Sequence, residues 1–212
     1  LHMVEYYLEI LRAIGIDPIQ SCPRLWVSDE QRLCAAQIFE HNGIEESRPV
    51  AGILPGAQNS AAKMWLPSRF ACLADLIVEN LSASVAFFGA AGDSDRIEQV
   101  RRQMRKPSVT LAGQIPLEDL GAALQRCRVF VTNDTGPMHV ASAVGTPVVA
   151  IFGSTDPRIT APYGGPHSII QANVPCAPCG KHECNRDLEC MRAISTDDVL
   201  RAVEYQMKFK HN

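Results

Sequence analysis

From Pro49 onward, short apolar runs alternate with stretches of helical periodicity, and that alternation leaves few folds open. Strands are predicted over Pro49–Leu54, Ser84–Phe88, Ser108–Leu111, Arg128–Thr132, Pro147–Phe152 and His167–Gln171. Helices are predicted over Pro67–Asn80, Ser94–Met104, Pro116–Arg126, Thr135–Val144 and Thr196–Lys208. Apolar strands separated by helices form a parallel sheet with both faces covered, an α/β architecture. Ligands of such sheets bind beyond the carboxyl ends of the strands. Functional residues are therefore expected just after each strand.

The richest of these positions is Asn133-Asp134-Thr135-Gly136-Pro137-Met138-His139, between the apolar run Val129-Phe130-Val131 and a small-residue helix that stops at Gly145 and Pro147. A strand tip that turns into a helix presents free backbone N–H groups and the positive end of the helix dipole. That arrangement holds phosphate. Asp134 adds an acceptor for sugar hydroxyls, and His139 a donor for phosphate oxygens. The plain alternative makes Asp134 or Thr135 a helix N-cap, which leaves Gly136 and His139 without a purpose.

Other strand ends carry weaker signals. Gly56 lets the backbone turn close to a ligand, and Lys63 in the same loop reaches an anion as a point charge or lies solvated on the surface. No Gly-Lys-Ser/Thr follows, so the loop is not a Walker A motif. Asp93-Ser94-Asp95 has three readings: helix capping, a carboxylate on ribose hydroxyls, or a D-x-D metal site. Ile115 packs either on a flat base or into the core. Asp156-Pro157 shapes a turn.

Residues 1–47 read differently. Val4, Tyr7, Leu8, Leu11 and Ile14 form one apolar helical face, and a second helix from Ser28 to about Asn42 opens with a Ser28…Gln31 capping box. These helices are expected to be an interdomain linker ahead of a nucleotide-binding domain at 48–212, with an N-terminal domain missing. The net charge of −3 gives no nucleic-acid footprint, and no segment approaches the ~20 apolar residues of a membrane span. The N-terminus shows no signal-peptide pattern, so a cytoplasmic location is expected. Of eight cysteines, Cys176, Cys179, Cys184 and Cys190 share one loop and Cys22, Cys34, Cys72 and Cys127 are scattered. The four in the loop suit structural zinc, disulfides or free thiols, and the scattered ones read as small core residues.

Pro55-Gly56-Ala57 with Ala62-Lys63-Met64-Trp65-Leu66-Pro67, Phe88-Gly89, and Val131 through Ala141 together resemble glycosyltransferase family 9, the bacterial lipopolysaccharide heptosyltransferases, most of all its type II members. The resemblance runs along almost the whole chain. It implies a GT-B fold of two Rossmann-like domains, this chain being the C-terminal half, a parallel sheet with helices on both faces. It further implies an ADP-heptose donor, a lipopolysaccharide-core acceptor bound through the missing domain, inverting transfer, no required cofactor, and peripheral contact with the inner membrane. By position, Lys63, Thr135, Gly136 and His139 surround the donor diphosphate, with Lys63 and His139 stabilising the leaving group. Asp134 binds donor hydroxyls or places the loop, Asp93 or Asp95 meets the ribose, and Ile115 lines the adenine pocket. The catalytic base is expected in the missing domain, so these residues alone are expected to bind donor without transferring sugar. Two departures stand out: Leu66 separates Trp65 from Pro67, and the cysteine loop occurs in only some members. Two rivals stay open, a UDP-sugar epimerase of similar architecture and a non-catalytic nucleotide-binding or zinc-stabilised module.

Overall fold

The computed structural model describes residues 1–19, 21–58 and 60–209. Two helices, α1 (Met3–Ala13) and α2 (Asp29–His41), precede the sheet. Then follow β1 (Val50–Leu54), α3 (Pro67–Leu81), β2 (Ser84–Phe87), α4 (Ser94–Arg101), β3 (Val109–Thr110), α5 (Leu120–Gln125), β4 (Val129–Asn133), α6 (Gly136–Ala143), β5 (Val148–Phe152), α7 (Pro157–Thr160), β6 (His167–Gln171), α8 (Glu189–Ala193) and α9 (Thr196–Gln206). The six strands are all parallel, in the order β3-β2-β1-β4-β5-β6. This is a Rossmann-like sheet, and its order reverses direction between β1 and β4, which opens a crevice at their carboxyl ends.

The period-two alternation of strand side chains sends residues to two core layers. Ala51, Ile53, Val129, Val131, Val149 and Ile151 meet Phe70, Leu73 and Ile77 of α3, Ile97 of α4 and Val199 and Val203 of α9. Val50, Leu54, Phe130, Val148, Ala150 and Phe152 meet Ala35 and Phe39 of α2, Ala122–Leu124 of α5 and Met138 and Ala141 of α6. Each large side chain so buried stabilises the fold by about 1.5–3 kcal/mol. The second layer closes on the rings of Phe39, Phe88 and Phe130, which meet edge to face. Gly52 is required there: a Cβ would stand 2.8 Å from the Phe130 ring and 2.9 Å from Cys127 Sγ.

The predicted strands and most helices form near their predicted bounds, and local chemistry accounts for the differences. The Ser28–Gln31 capping box forms reciprocally, at 3.2 and 2.9 Å. Yet α2, assigned by sequence to the linker, contributes Ala35 and Phe39 to the core, whereas α1 buries no residue completely. The helix predicted to reach Met104 ends at Arg101. Beyond it the buried Asp75 carboxylate accepts the backbone N–H groups of Arg105 and Lys106 and holds that stretch as a non-helical turn. Neither α7 nor α8 was predicted, both being too short to show a period. Among the described residues no helix is long and apolar enough to cross a membrane.

Candidate functional site

At the switch point, the side chain of Asn133 ties the tip of β4 to the backbone of the loop after β1. Asn133 is fully buried, and its amide donates to the carbonyls of Pro55 and Gly56 at 3.0 Å each, while its Oδ1 accepts from the Trp65 N–H at 3.0 Å. Three of the four hydrogen bonds available to an Asn side chain are thereby made, all to backbone. The Trp65 indole is also fully buried, edge-on to Phe70, and anchors the far end of the loop. Between these fixed points runs a single 3₁₀ turn, Ala61–Lys63. It aims Lys63 at the next residue of the β4 tip: Lys63 Nζ donates to Asp134 Oδ2 at 2.8 Å.

The side chain of Asp134 is 6% exposed and that of Lys63 24%. The pair is thus shielded on the carboxylate side and reachable on the ammonium side. An ammonium has three N–H donors, so Lys63 can hold Asp134 and still bind an incoming anion. Asp134 is not a helix cap. Thr135 occupies the N-cap position of α6 without any side-chain cap bond, its hydroxyl lying 3.1 Å from that of Thr132 instead. The first turn of α6 keeps the uncapped end that anion binding requires. A Cβ on Gly136 would meet nothing within 4 Å, so the approach to this end is open.

His139 lies one turn along α6, exposed on its outer side. Partial burial chiefly lowers its proton affinity, the charges of His2 and Lys63 lower it further, and Asp134 opposes them. These influences together favour the neutral imidazole. Beside it lies a hollow of about 140 Å³ bounded by His2, Ser142, Ile159 and Tyr163. α1 is pinned over this hollow by the Glu5–Tyr163 hydrogen bond and by His2 Nε2 at 2.9 Å from the Ala161 carbonyl.

One strand further along, Asp93 turns back to accept the Ala90 N–H at 2.8 Å and does not cap α4. Its carboxylate lies against the β1 loop, where a Cβ on Gly56 would stand 2.5 Å from Asp93 Oδ1. The close approach at Gly56 is therefore made by Asp93. Asp95 is exposed in the first turn of α4. Ile115, after β3, is half-buried and packs partly against the second core layer. Gly56, Lys63, Asp93, Asp134, Thr135, Gly136 and His139 thus line successive strand ends and the helix beside them, with Ile115 beyond.

Sequence reasoning gave no role to two residues that shape this site. Asn133 belonged to the motif, and the signal for it is a polar side chain at the buried end of an apolar strand, which must be hydrogen-bonded. Arg96 reaches back from α4 to donate to the Trp65 carbonyl at 2.7 Å, burial lowers its pKa, and its Nε has no partner. Nothing in its local sequence marks it.

Of the scattered cysteines only Cys127 is a core residue. Cys34 is half-buried, and Cys22 and Cys72 are exposed because they fall on an outer loop and on the solvent side of α3. Cys176, Cys179, Cys184 and Cys190 all border one cavity of about 200 Å³, with Ala62 and Ser154. All four are free thiols. Among the described residues no three His, Cys, Asp or Glu side chains stand close enough to hold a metal ion as they lie.

Three comparisons bear on this geometry. The family model for glycosyltransferase family 9 (heptosyltransferase) matches residues 1–189. The lipooligosaccharide heptosyltransferase 2 of Haemophilus influenzae is 34% identical over 154 residues, 70% of this chain and 44% of that protein. The lipopolysaccharide heptosyltransferase 2 of Escherichia coli K12 is 29% identical over 153 residues, 70% of this chain and 43% of that protein. The chain therefore matches less than half the length of these relatives. In solved structures, a family 9 glycosyl transferase of Veillonella parvula superposes with a TM-score of 0.84 at 27% identity, covering 97% of this chain and 60% of that one. The E. coli ADP-heptose LPS heptosyltransferase II superposes with a TM-score of 0.80 at 26% identity, covering 97% and 62%.

Proposed function

Since this chain belongs to glycosyltransferase family 9, the heptosyltransferases, we propose that it is the donor-binding part of an enzyme that transfers heptose from ADP-heptose to a lipopolysaccharide inner core. The observation that carries this reading is the Lys63–Asp134 pair, 2.8 Å apart at the β1/β4 switch point, beside the uncapped, open end of α6. A diphosphate in the crevice accepts from Lys63, from the first turn of α6 and from His139. Strands lie ~4.8 Å apart, so Asp93 after β2 and Ile115 after β3 fall roughly 5 and 10 Å to one side of β1. That is the order phosphate, ribose, base. The leaving diphosphate gains charge as the glycosidic bond breaks, and Lys63, His139 and the helix end are already aimed at it. Asp134 holds the lysine in place and receives a sugar hydroxyl on its remaining lone pairs.

In this reading the base that deprotonates the acceptor hydroxyl comes from outside residues 1–212, as do most acceptor contacts, and the enzyme works at the cytoplasmic face of the inner membrane. The chemistry needs no metal or cofactor, because the cationic groups named here meet the diphosphate charge. Calorimetric titration with ADP, UDP and GDP tests it. ADP is expected to bind selectively, and Lys63→Ala to weaken it about ten- to a hundredfold, the value of a charge-assisted hydrogen bond. Preference for UDP, or ADP binding indifferent to Lys63, refutes the reading.

A further inference from the structure

The cysteine loop has no part in the donor site described above, yet it touches the turn that carries Lys63. We propose that Cys176, Cys179, Cys184 and Cys190 bind one thiophilic metal ion, zinc in kind, and that this ion fixes the Lys63 turn. Four independent observations converge on it. All four thiols border the same cavity at the end of β5. Cys190 lies against that strand end, its Sγ 3.2 Å from where a Cβ on Gly153 would stand. Two backbone N–H groups, from Arg186 and Leu188, point at Cys184 Sγ at 3.3 and 3.4 Å. A neutral thiol is a weak acceptor, and two donors on one sulfur suit a thiolate. Finally, the Ser154 hydroxyl borders the cavity, is 1% exposed and has no hydrogen-bond partner. A metal-bound thiolate supplies the acceptor that this buried donor lacks.

The loop also needs such a tie. Residues 178–187 are exposed and without regular secondary structure, so little apolar burial holds them. Four thiolates around zinc at about 2.3 Å place their sulfurs about 3.8 Å apart, closer than the side chains stand as they lie, so in this proposal the loop draws in around the shared cavity as the ion binds. The tie reaches the donor site through backbone. The N–H groups of Cys179 and Gly180 donate to the Ser154 carbonyl at 2.9 and 2.6 Å. Between Cys179 and Cys184, the His182 carbonyl accepts from the Ala62 N–H at 3.0 Å and from the Ser60 hydroxyl at 3.3 Å. Ala62 is the middle residue of the turn that ends at Lys63. A metal that closes the loop on both sides of His182 thus holds the turn from which Lys63 reaches the crevice. The metal site stands on its own observations, and its effect on donor binding rests on the reading in the preceding subsection.

Metal analysis of the purified chain is expected to find about one zinc per chain, and Co²⁺ exchange is expected to produce thiolate-to-metal charge-transfer absorption. Cys184→Ser and Cys190→Ser lose both signals, and Cys72→Ser, outside the loop, keeps them. Stripping the intact chain with a chelator weakens ADP binding about tenfold, and added zinc restores it. A chain that holds no metal and takes up no Co²⁺, or whose loop cysteines form disulfides, overturns the site. Stoichiometric zinc whose removal leaves ADP affinity unchanged overturns the link to Lys63. Stoichiometric zinc in a chain that binds no ADP leaves the site standing and refutes the donor reading instead.

Discussion

Replacing Asn133 tests the joint that holds the crevice together. In Asn133→Ala the Pro55 and Gly56 carbonyls and the Trp65 N–H each lose a partner at 3.0 Å, in a place with no exposure to solvent. A hydrogen bond contributes about 1 kcal/mol net, and a buried group left unpaired costs about 1–3 kcal/mol. With some relief from water entering the space left by the amide, the expected loss is about 3–4 kcal/mol. For a chain of this size that is a fall in Tm of about 6–15 °C. Asn133→Asp separates hydrogen bonding from volume, since it keeps the shape and the acceptor for Trp65 N–H but turns a carboxylate oxygen toward two carbonyls. It is expected to destabilise at least as much as alanine above the carboxylate's titration range, and to recover as pH falls and the acid becomes a donor. Urea unfolding followed by tryptophan fluorescence reads both variants, because Trp65 lies at the joint. An alanine variant within 1 kcal/mol of wild type, or an Asp variant as stable as wild type at neutral pH, refutes the argument.

Gly56→Ala drives a methyl to 2.5 Å from Asp93 Oδ1 and is expected to cost about 1–3 kcal/mol; most of that cost disappears in an Asp93→Ala background, as a double-mutant cycle of unfolding free energies would register. His139 starts with a lowered pKa, and a bound diphosphate raises it, so binding takes up a proton between the two values and ADP affinity rises as pH falls through that interval. Calorimetry in buffers of different ionisation enthalpy would detect the proton uptake, and His139→Gln is expected to lose it; equal uptake in both proteins refutes the assignment.

How much of this was legible in the sequence depended on the range of the interaction. The apolar runs Val50–Leu54, Val129–Asn133 and Val148–Phe152 are written in consecutive residues, and they led directly to parallel strands buried on both faces. The Ser28–Gln31 box spans three residues and formed as read. Asp134 shows the limit. Locally it is an ideal helix cap, but a lysine 71 positions earlier takes its carboxylate. Trp65 and Asn133 are joined across 68 positions, and Arg96 meets the Trp65 carbonyl across 31. No pattern in a single sequence encodes such pairings, because they exist only once β1 and β4 lie side by side. Three of the four scattered cysteines, Cys22, Cys34 and Cys72, were misread for a related reason, while Cys127 lies in the core as expected. Composition says that cysteine is usually buried, and helix phase put Cys72 on the outside.

The reversal of strand order at β1 and β4 also divides the molecule for anyone wishing to re-engineer it. Asp93 and Ile115 lie on the β2–β3 side, while His139 and the cysteine loop lie on the β4–β6 side, and Asn133 locks the seam between. In the donor-binding reading proposed above, exchanging side chains around Ile115 should therefore alter which nucleoside is accepted without loosening the grip on its phosphates, whereas Asp93 packs against Gly56 and couples to the β1 loop. On that reading, a new base preference is a problem of the short loop after β3, apart from the groups that meet the diphosphate.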